Sequence, residues 1–182
     1  MSNFFNKILY GGGVIFDMAK WIIFAVVLII LINKFWVSVF IVDGASMEPN
    51  IHDKELVLLN VSKYNSVEPK RGDVVVVRYP GDPDNRKYVK RVIGLPNEKL
   101  EIKDSRVFIN GNRLEEYYVA FDLPTNPDKT IQISSNSYFL MGDNRPFSND
   151  SRYFGAVEKR FIIGQATTII FPRFKEVPTL QY

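Results

Sequence analysis

The sequence predicts a mainly β fold preceded by a single apolar helix near the N-terminus. Three observations carry this. Apolar residues are concentrated in one long stretch before residue 40. After it, short runs rich in Val, Ile and Tyr alternate with Gly, Pro and Asn turn signals. No segment beyond residue 40 sustains a helical period.

Residues 1–13, ending in Gly11-Gly12-Gly13, read as a short cytosolic tail. From Trp21 to Ile32 there is no charged or polar group, a stretch too short by itself to cross a bilayer. Lys20 and Lys34 flank it. Lysines near helix ends extend their ammonium groups to the headgroups, and Trp21, Phe35 and Trp36 suit the interfacial belts. The expected anchor therefore runs from Val14 to Lys34, close to the roughly 20 residues a span requires. A cleaved signal peptide and a buried core helix are the alternatives. The apolar region is long for the first, and Val37-Ser38-Val39-Phe40 offers no small-residue cleavage site. Lys7 and Lys20 before the span and Lys34 and Lys54 after it leave its orientation undecided by charge.

The expected strands are residues 55–59, 73–79, 87–93, 99–103, 106–109, 138–141 and 162–171, bounded by turns such as Pro80-Gly81-Asp82-Pro83 and Asn110-Gly111. Residues 121–129, with Pro124 and Pro127, read as a loop. Many short strands with an apolar face fit a barrel or sandwich better than a parallel sheet.

The 182 residues allow one domain with a real core beside the anchor. A net charge of +3, with acidic and basic residues interleaved, gives no footprint for nucleic acid. The absence of cysteine excludes disulfides, thiolate metal sites and a cysteine nucleophile. With His52 the single histidine, a zinc site built on histidines is excluded, and a Ser-His-Asp triad would have to use that residue. No metal or cofactor is implied.

Three stretches carry chemistry. In Asp43-Gly44-Ala45-Ser46-Met47-Glu48-Pro49 a serine lies in a Gly/Pro-bounded turn that leaves backbone N–H groups free to face an oxyanion. An ordinary turn between an anchor and a strand is the alternative. Lys90 lies inside the apolar run Tyr88-Val89-Lys90-Arg91-Val92-Ile93, where alternation puts Lys90 and Arg91 on opposite faces. Burial disfavours an ammonium and would make Lys90 a base near neutral pH, a role arginine does not fill. A solvated lysine on an edge strand is the alternative. The third stretch, residues 142–155, is dense in small polar residues, with Asp143 set to pair with Arg145, Asp150 with Arg152, and Asn144 to brace the backbone. Such bracing would fix a hydroxyl such as Ser148 beside a base. A surface salt-bridge loop is the alternative there.

Taken together, Ser46-Met47-Glu48-Pro49, Gly72-Asp73-Val74-Val75-Val76, Lys90-Arg91-Val92-Ile93-Gly94-Leu95-Pro96 and Gly142-Asp143-Asn144-Arg145 through Ser148, Asp150-Ser151-Arg152 and Gly155 resemble, in order and spacing, the bacterial type I signal peptidases. The short chain with one anchor looks like the Gram-positive form. The resemblance covers nearly the whole chain and implies a signal-peptidase-like β-barrel or sandwich behind one transmembrane helix. It also implies a cytosolic N-terminus and an extracytoplasmic domain over residues 35–182. The expected organisation of that domain is a core of about residues 35–96 and 137–182 with a smaller β subdomain of about residues 97–136.

By the same resemblance, Ser46 matches the nucleophile and Lys90 the general base of a Ser/Lys dyad. Ser148 matches the serine that orients the lysine, Asp150 and Arg152 the residues that brace its loop, and Arg91 and Asp143 look structural. Gly44 stands where some members have a serine that completes the oxyanion hole, Asn50 where many have threonine, and Asn97-Glu98 where many have Gly-Asp. The implied partners are secreted preproteins with small residues at the first and third positions before the cut, bound as an added strand beside Val42, Met47 and Val89. A lipid bilayer is the further partner, with pilin or the secretion translocon as other candidates. The apolar 35–42 stretch is expected at the membrane surface. The alternative function is a pilus-locus relative with a dedicated pilin-processing or assembly role.

Overall fold

The computed structural model describes residues 16–31, 36–79, 81–120 and 123–179, and the chain divides after Val37 into two compact units. In the first, residues 16–31 form helix α1, exposed along its whole length. Lys20 and Asp17 pair across one turn at 3.0 Å. Among the described residues no helix is long and apolar enough to cross a membrane. The expected span of residues 14–34 extends at both ends outside the described residues, as does the tail of residues 1–13.

The second unit is β-rich. Its strands are β1 (Val37–Ile41), β2 (Leu56–Asn60), β3 (Val74–Arg78), β4 (Lys87–Gly94), β5 (Lys99–Lys103), β6 (Arg106–Ile109), β7 (Asn112–Arg113), β8 (Lys129–Gln132), β9 (Ser137–Met141), β10 (Val157–Glu158), β11 (Ile162–Phe171) and β12 (Lys175–Glu176). Two single-turn helices, α2 (Lys63–Ser66) and α3 (Ser151–Phe154), interrupt them. Eight strands form one sheet, ordered β1-β2-β11-β3-β4-β9-β10 with β12 added to β11, and four form a second, ordered β7-β6-β5-β8.

Strand β3 shows why this arrangement is stable. Its four valines are all fully buried, Val74 and Val76 in one apolar cluster with Val57, Ala166 and Ile169, Val75 and Val77 in another with Tyr138 and Leu140. A strand covered on both faces needs apolar residues at every position rather than alternation. Neighbouring β4 links all the cores: Val89 joins the first cluster, Val92 the second, and Ile93 a third built around the small sheet by Leu100, Ile102, Val107 and Ile133. Between these apolar positions lie Lys90 and Arg91, held in register opposite Val75 and Val74 of β3. On the other side β4 pairs with β9, whose last residue Met141 lies opposite Arg91. That pairing delivers the polar 142–155 stretch directly beside Lys90.

The strands expected from apolar runs all form, with ends displaced by a residue or so. The short strands β1, β7, β8, β10 and β12 gave no alternation signal. Residues 121–129 were expected to be loop throughout, yet β8 begins at Lys129 and pairs with β5. Its sequence Lys-Thr-Ile-Gln has one apolar residue, so the pairing partner rather than local propensity makes it a strand.

Gly164, in central strand β11, lies where an added Cβ would stand 2.8 Å from the Asn60 carbonyl oxygen and 3.0 Å from Val61 Cα. Both obstacles are backbone and have little room to give. Gly164→Ala is expected to destabilise the fold by about 1–3 kcal/mol, read as a lower urea midpoint at unchanged slope; an unchanged midpoint would contradict this packing.

Candidate active site

Ser46 lies in the turn after β1, and that turn is tied down from three sides. At its base Val42 N–H donates to the Glu55 carbonyl and Lys54 N–H to the Val42 carbonyl, each at 2.9 Å. Gly44, at φ +98°, adopts a backbone conformation that side chains rarely tolerate. Its N–H donates to Asp53 Oδ1 at 2.7 Å, and that bond is the main reason the Asp53 carboxyl titrates below its usual range. From the far side Asn144 grips the turn twice, its N–H donating to the Ser46 carbonyl at 3.1 Å and its Nδ2 to the Ala45 carbonyl at 3.0 Å.

The Ser46 hydroxyl meets Lys90 Nζ at 2.8 Å. Lys90 is only 2% exposed, and among the described residues no carboxylate touches its nitrogen. Burial therefore dominates and lowers its pKa from 10.5 to about 8. The charges of Asp150 and Asp143 oppose that shift, and Arg152 adds to it. The Tyr88 ring centroid lies 5.6 Å from the same nitrogen.

Adjacent Arg91 shows the opposite solution. It too is buried, but every donor finds a partner. Nε and Nη2 form a fork with both oxygens of Asp143 at 2.8 and 2.7 Å, and Nη1 donates to the carbonyls of Gly72 and Pro178. The Tyr118 ring covers its face at 4.4 Å. The sequence reading paired Asp143 with Arg145; the structure gives Asp143 to Arg91. Arg145 turns instead to Glu116 and Thr125. Sequence proximity is a poor guide here because a buried guanidinium takes whichever carboxylate the fold brings into its plane. Asn50, at a position where the resemblance leads one to expect threonine, spans both regions, donating to Asp143 Oδ2 at 2.9 Å and to the Tyr118 carbonyl at 2.7 Å.

The expected Asp150–Arg152 pair is present and buried, at 2.8 Å between Oδ1 and Nε. Asp150 also caps α3 by accepting from Arg152 N–H, and accepts from Gly142 N–H at 3.0 Å. Arg152 in turn donates to the carbonyls of Arg145, Ser148 and Asn126. The Ser148 hydroxyl, on a residue 5% exposed, has no hydrogen-bond partner among the described residues, and the bond to Lys90 that the resemblance implies is not made in this structure. It packs against Gly142, where an added Cβ would lie 2.3 Å from Ser148 Oγ and 2.4 Å from the Ser46 carbonyl oxygen. Only a glycine lets the polar loop approach this closely.

A cleft of about 350 Å³ opens in front of the pair, lined by Phe40 to Asp43 on one side, Arg86 to Val89 on the other, and Ser46 and Lys90 at its floor. Strands β1 and β4 are separated by three others in the sheet, so the sheet curls back to bring them together. Val42 and Val89 belong to this lining. Met47 does not; it is fully buried in the first core cluster, anchoring the turn beneath Ser46. His52 lies 3.7 Å from Glu48 and is not part of the cleft. The roles of Asn50, Asp53 and Glu116 were missed by sequence reasoning, since each acts through a contact between distant segments with no local pattern.

The sequence matches the family described as "Signal peptidase, peptidase S26" over residues 15–171. It is 37% identical to "Signal peptidase I" of Bacillus amyloliquefaciens over 90% of this chain and 91% of that protein. It is 38% identical to "Signal peptidase I S" of Bacillus subtilis (strain 168) over 87% and 90%, and 32% to "Signal peptidase IB" of Staphylococcus aureus (strain N315) over 86% and 91%. A crystal structure of a signal peptidase I from Enterococcus faecalis V583 aligns at a TM-score of 0.49 and 33% identity, covering 56% of this chain and 98% of that one. The chain belongs to the signal peptidase family S26 and is a serine endopeptidase.

A buried lysine of lowered pKa makes stability depend on pH. Above the unfolded value of 10.5 neither state binds the proton and burial costs nothing. As pH falls below 10.5 the unfolded chain protonates first, so stability is lost, and the loss is complete below the folded value of about 8. Lys90→Met removes this penalty. It is expected to stabilise the chain at pH 7 by up to about 3 kcal/mol, a gain that disappears above pH 10.5. Urea unfolding of both proteins at pH 7 and above pH 10.5 checks this, and a pH-independent difference would contradict the buried lysine of lowered pKa.

Proposed function

We propose that the chain is a membrane-bound peptidase that removes N-terminal signal peptides from secreted preproteins with a Ser46/Lys90 dyad. The 2.8 Å contact between a buried amine and the Ser46 hydroxyl carries the reading. With a pKa of about 8, roughly a tenth of Lys90 is neutral at pH 7, several hundred times the share of an ordinary lysine, and has a lone pair to accept the serine proton. Ser46 Oγ then attacks the scissile carbonyl while Lys90 takes its proton, giving a tetrahedral oxyanion facing the Ser46 N–H. Collapse expels the new N-terminal amine of the mature protein, protonated by the Lys90 ammonium. The remaining acyl-enzyme is hydrolysed by a water that Lys90 deprotonates, and the released proton returns to Ser46.

The other residues act around this exchange. Asp150 and Arg152 hold the loop, Ser148 contributes its hydroxyl beside the dyad, and Gly44 gives the turn its shape. The preprotein enters as an extended segment between Phe40 to Asp43 and Arg86 to Val89, with Val42 and Val89 leaving space for small side chains alone. The proposed location is the cell membrane, with residues 14–34 as anchor, residues 1–13 cytosolic and residues 35–182 extracytoplasmic. The small sheet is a subdomain of the catalytic unit.

The test is cleavage of a preprotein with an Ala-X-Ala site by detergent-solubilised full chain, beside Ser46→Ala, Lys90→Arg and His52→Ala. The parent and His52→Ala are expected to cut at that site; Ser46→Ala and Lys90→Arg are expected to lose at least about 1,000-fold. Lys90→Arg keeps the charge but never supplies a neutral base. Cutting by Ser46→Ala or Lys90→Arg near the parent rate would remove that residue from the mechanism, and a large loss in His52→Ala would favour a histidine base.

A further inference from the structure

We propose that Glu116, on the segment that leaves the small sheet, is a positioning residue for the dyad, holding the 142–155 loop through Arg145 so that Lys90 stays dry and faces Ser46. This rests on the Ser46/Lys90 reading above. The observation behind it is that Arg145, unlike Arg152 with its Asp150 partner inside the loop, takes its carboxylate from outside, and that one outside segment reaches both arginines. Arg145, 1% exposed, forms a fork with both oxygens of Glu116, at 2.5 and 3.2 Å, and donates to Thr125 Oγ1 at 2.8 Å. Arg152 Nη1 reaches the Asn126 carbonyl at 2.8 Å, and Lys129 Nζ reaches back to the Arg152 carbonyl at 2.7 Å. Residues 116–129 thus latch the loop at four points, and the Glu116 fork is the one that neutralises a buried charge.

The path from that fork to the reacting groups is short. Arg145 Nε donates to the Gly142 carbonyl at 3.0 Å. Gly142 in turn is the residue packed against both Ser148 and the Ser46 carbonyl. Without Glu116, the Arg145 guanidinium is left buried and uncompensated, and the loop relieves this by opening to water. Opening hydrates Lys90. The charged and polar groups around that nitrogen are Asp150, Asp143, Arg152, the Tyr88 ring and the Ser46 hydroxyl. Glu116 touches none of them directly, but it also accepts from the Tyr118 hydroxyl at 2.8 Å, and the Tyr118 ring covers the Arg91 that holds Asp143. A Tyr118→Phe control, expected to leave the Lys90 midpoint unmoved, separates that route from the one through Arg145.

The experiment is an NMR titration of the Lys90 side chain in detergent-solubilised full chain, its signal assigned by loss in Lys90→Arg, for the parent, Glu116→Ala and Glu116→Gln. Steady-state cleavage of the Ala-X-Ala preprotein is measured alongside. Glu116→Ala is expected to raise the Lys90 midpoint by about one pH unit and to lower kcat about tenfold with little change in KM. Glu116→Gln, which keeps an acceptor for Arg145, is expected to fall between. A folded Glu116→Ala protein with an unmoved Lys90 midpoint overturns the proposal. If that variant does not fold, Thr125→Val loosens the same guanidinium more gently, and an unmoved midpoint there overturns it equally. A parent whose Lys90 titrates near 8 but which cuts no preprotein overturns the peptidase reading instead, and the titration still decides the role of Glu116.

Discussion

A lysine removed from water gives up most of its preference for the ammonium form, and the structure around Lys90 preserves that loss. Its nitrogen is offered a neutral hydroxyl rather than a carboxylate. Asp143 and Asp150 are near enough to pull the pKa upward, yet each is already engaged by a guanidinium, Asp143 by Arg91 and Asp150 by Arg152. Had either carboxylate turned to Lys90, the lysine would be held charged and would have no lone pair to offer Ser46. The paired arginines keep the lysine unpaired.

The surrounding fold supplies what this arrangement costs. The four valines of β3 and Val89, Val92 and Ile93 of β4 are buried around Lys90 and Arg91, so the strand does not tilt the lysine into solvent. The Arg91–Asp143 and Asp150–Arg152 pairs are fully enclosed, and breaking one partner of such a pair is far more damaging than never having built it. A dense set of hydrogen bonds braces the polar loop, holding Asn144 against the Ser46 turn while Gly142 packs against Ser148. The exception is the Ser148 hydroxyl, buried without a partner in the structure. It is a free hydrogen-bonding group within the loop that flanks the dyad.

Much of this was legible in the sequence because runs of apolar residues dictate strands wherever they are covered on both faces, as in residues 74–77 and 87–94. Ser46 and Lys90 stood out in the sequence as a serine in a Gly/Pro-bounded turn and a lysine within an apolar run, but each alone had an ordinary alternative, and only the resemblance of four blocks in order paired them. What was not legible lies in contacts between distant segments. The register of β4 against β9 decides that Asp143 meets Arg91, and the excursion of the chain through the small sheet decides that Glu116 meets Arg145. Gly44 was noted as a missing hydroxyl, whereas its positive φ accounts for the glycine on backbone grounds alone. Met47 was expected beside the bound segment with Val42 and Val89, but its side chain is buried in the first core cluster.

The most direct measurement is the pH dependence of kcat/KM for preprotein cleavage by the full chain, since it reports the essential base of the free enzyme. With Lys90 as that base, the activity should rise with pH through an apparent pKa near 8 and level off above it. A rise centred near the ordinary lysine value of 10.5 would mean that Lys90 is hydrated and keeps its full preference for the ammonium form. A rise centred near 6.5 would point to His52. Either result would contradict a buried amine that draws its proton from Ser46.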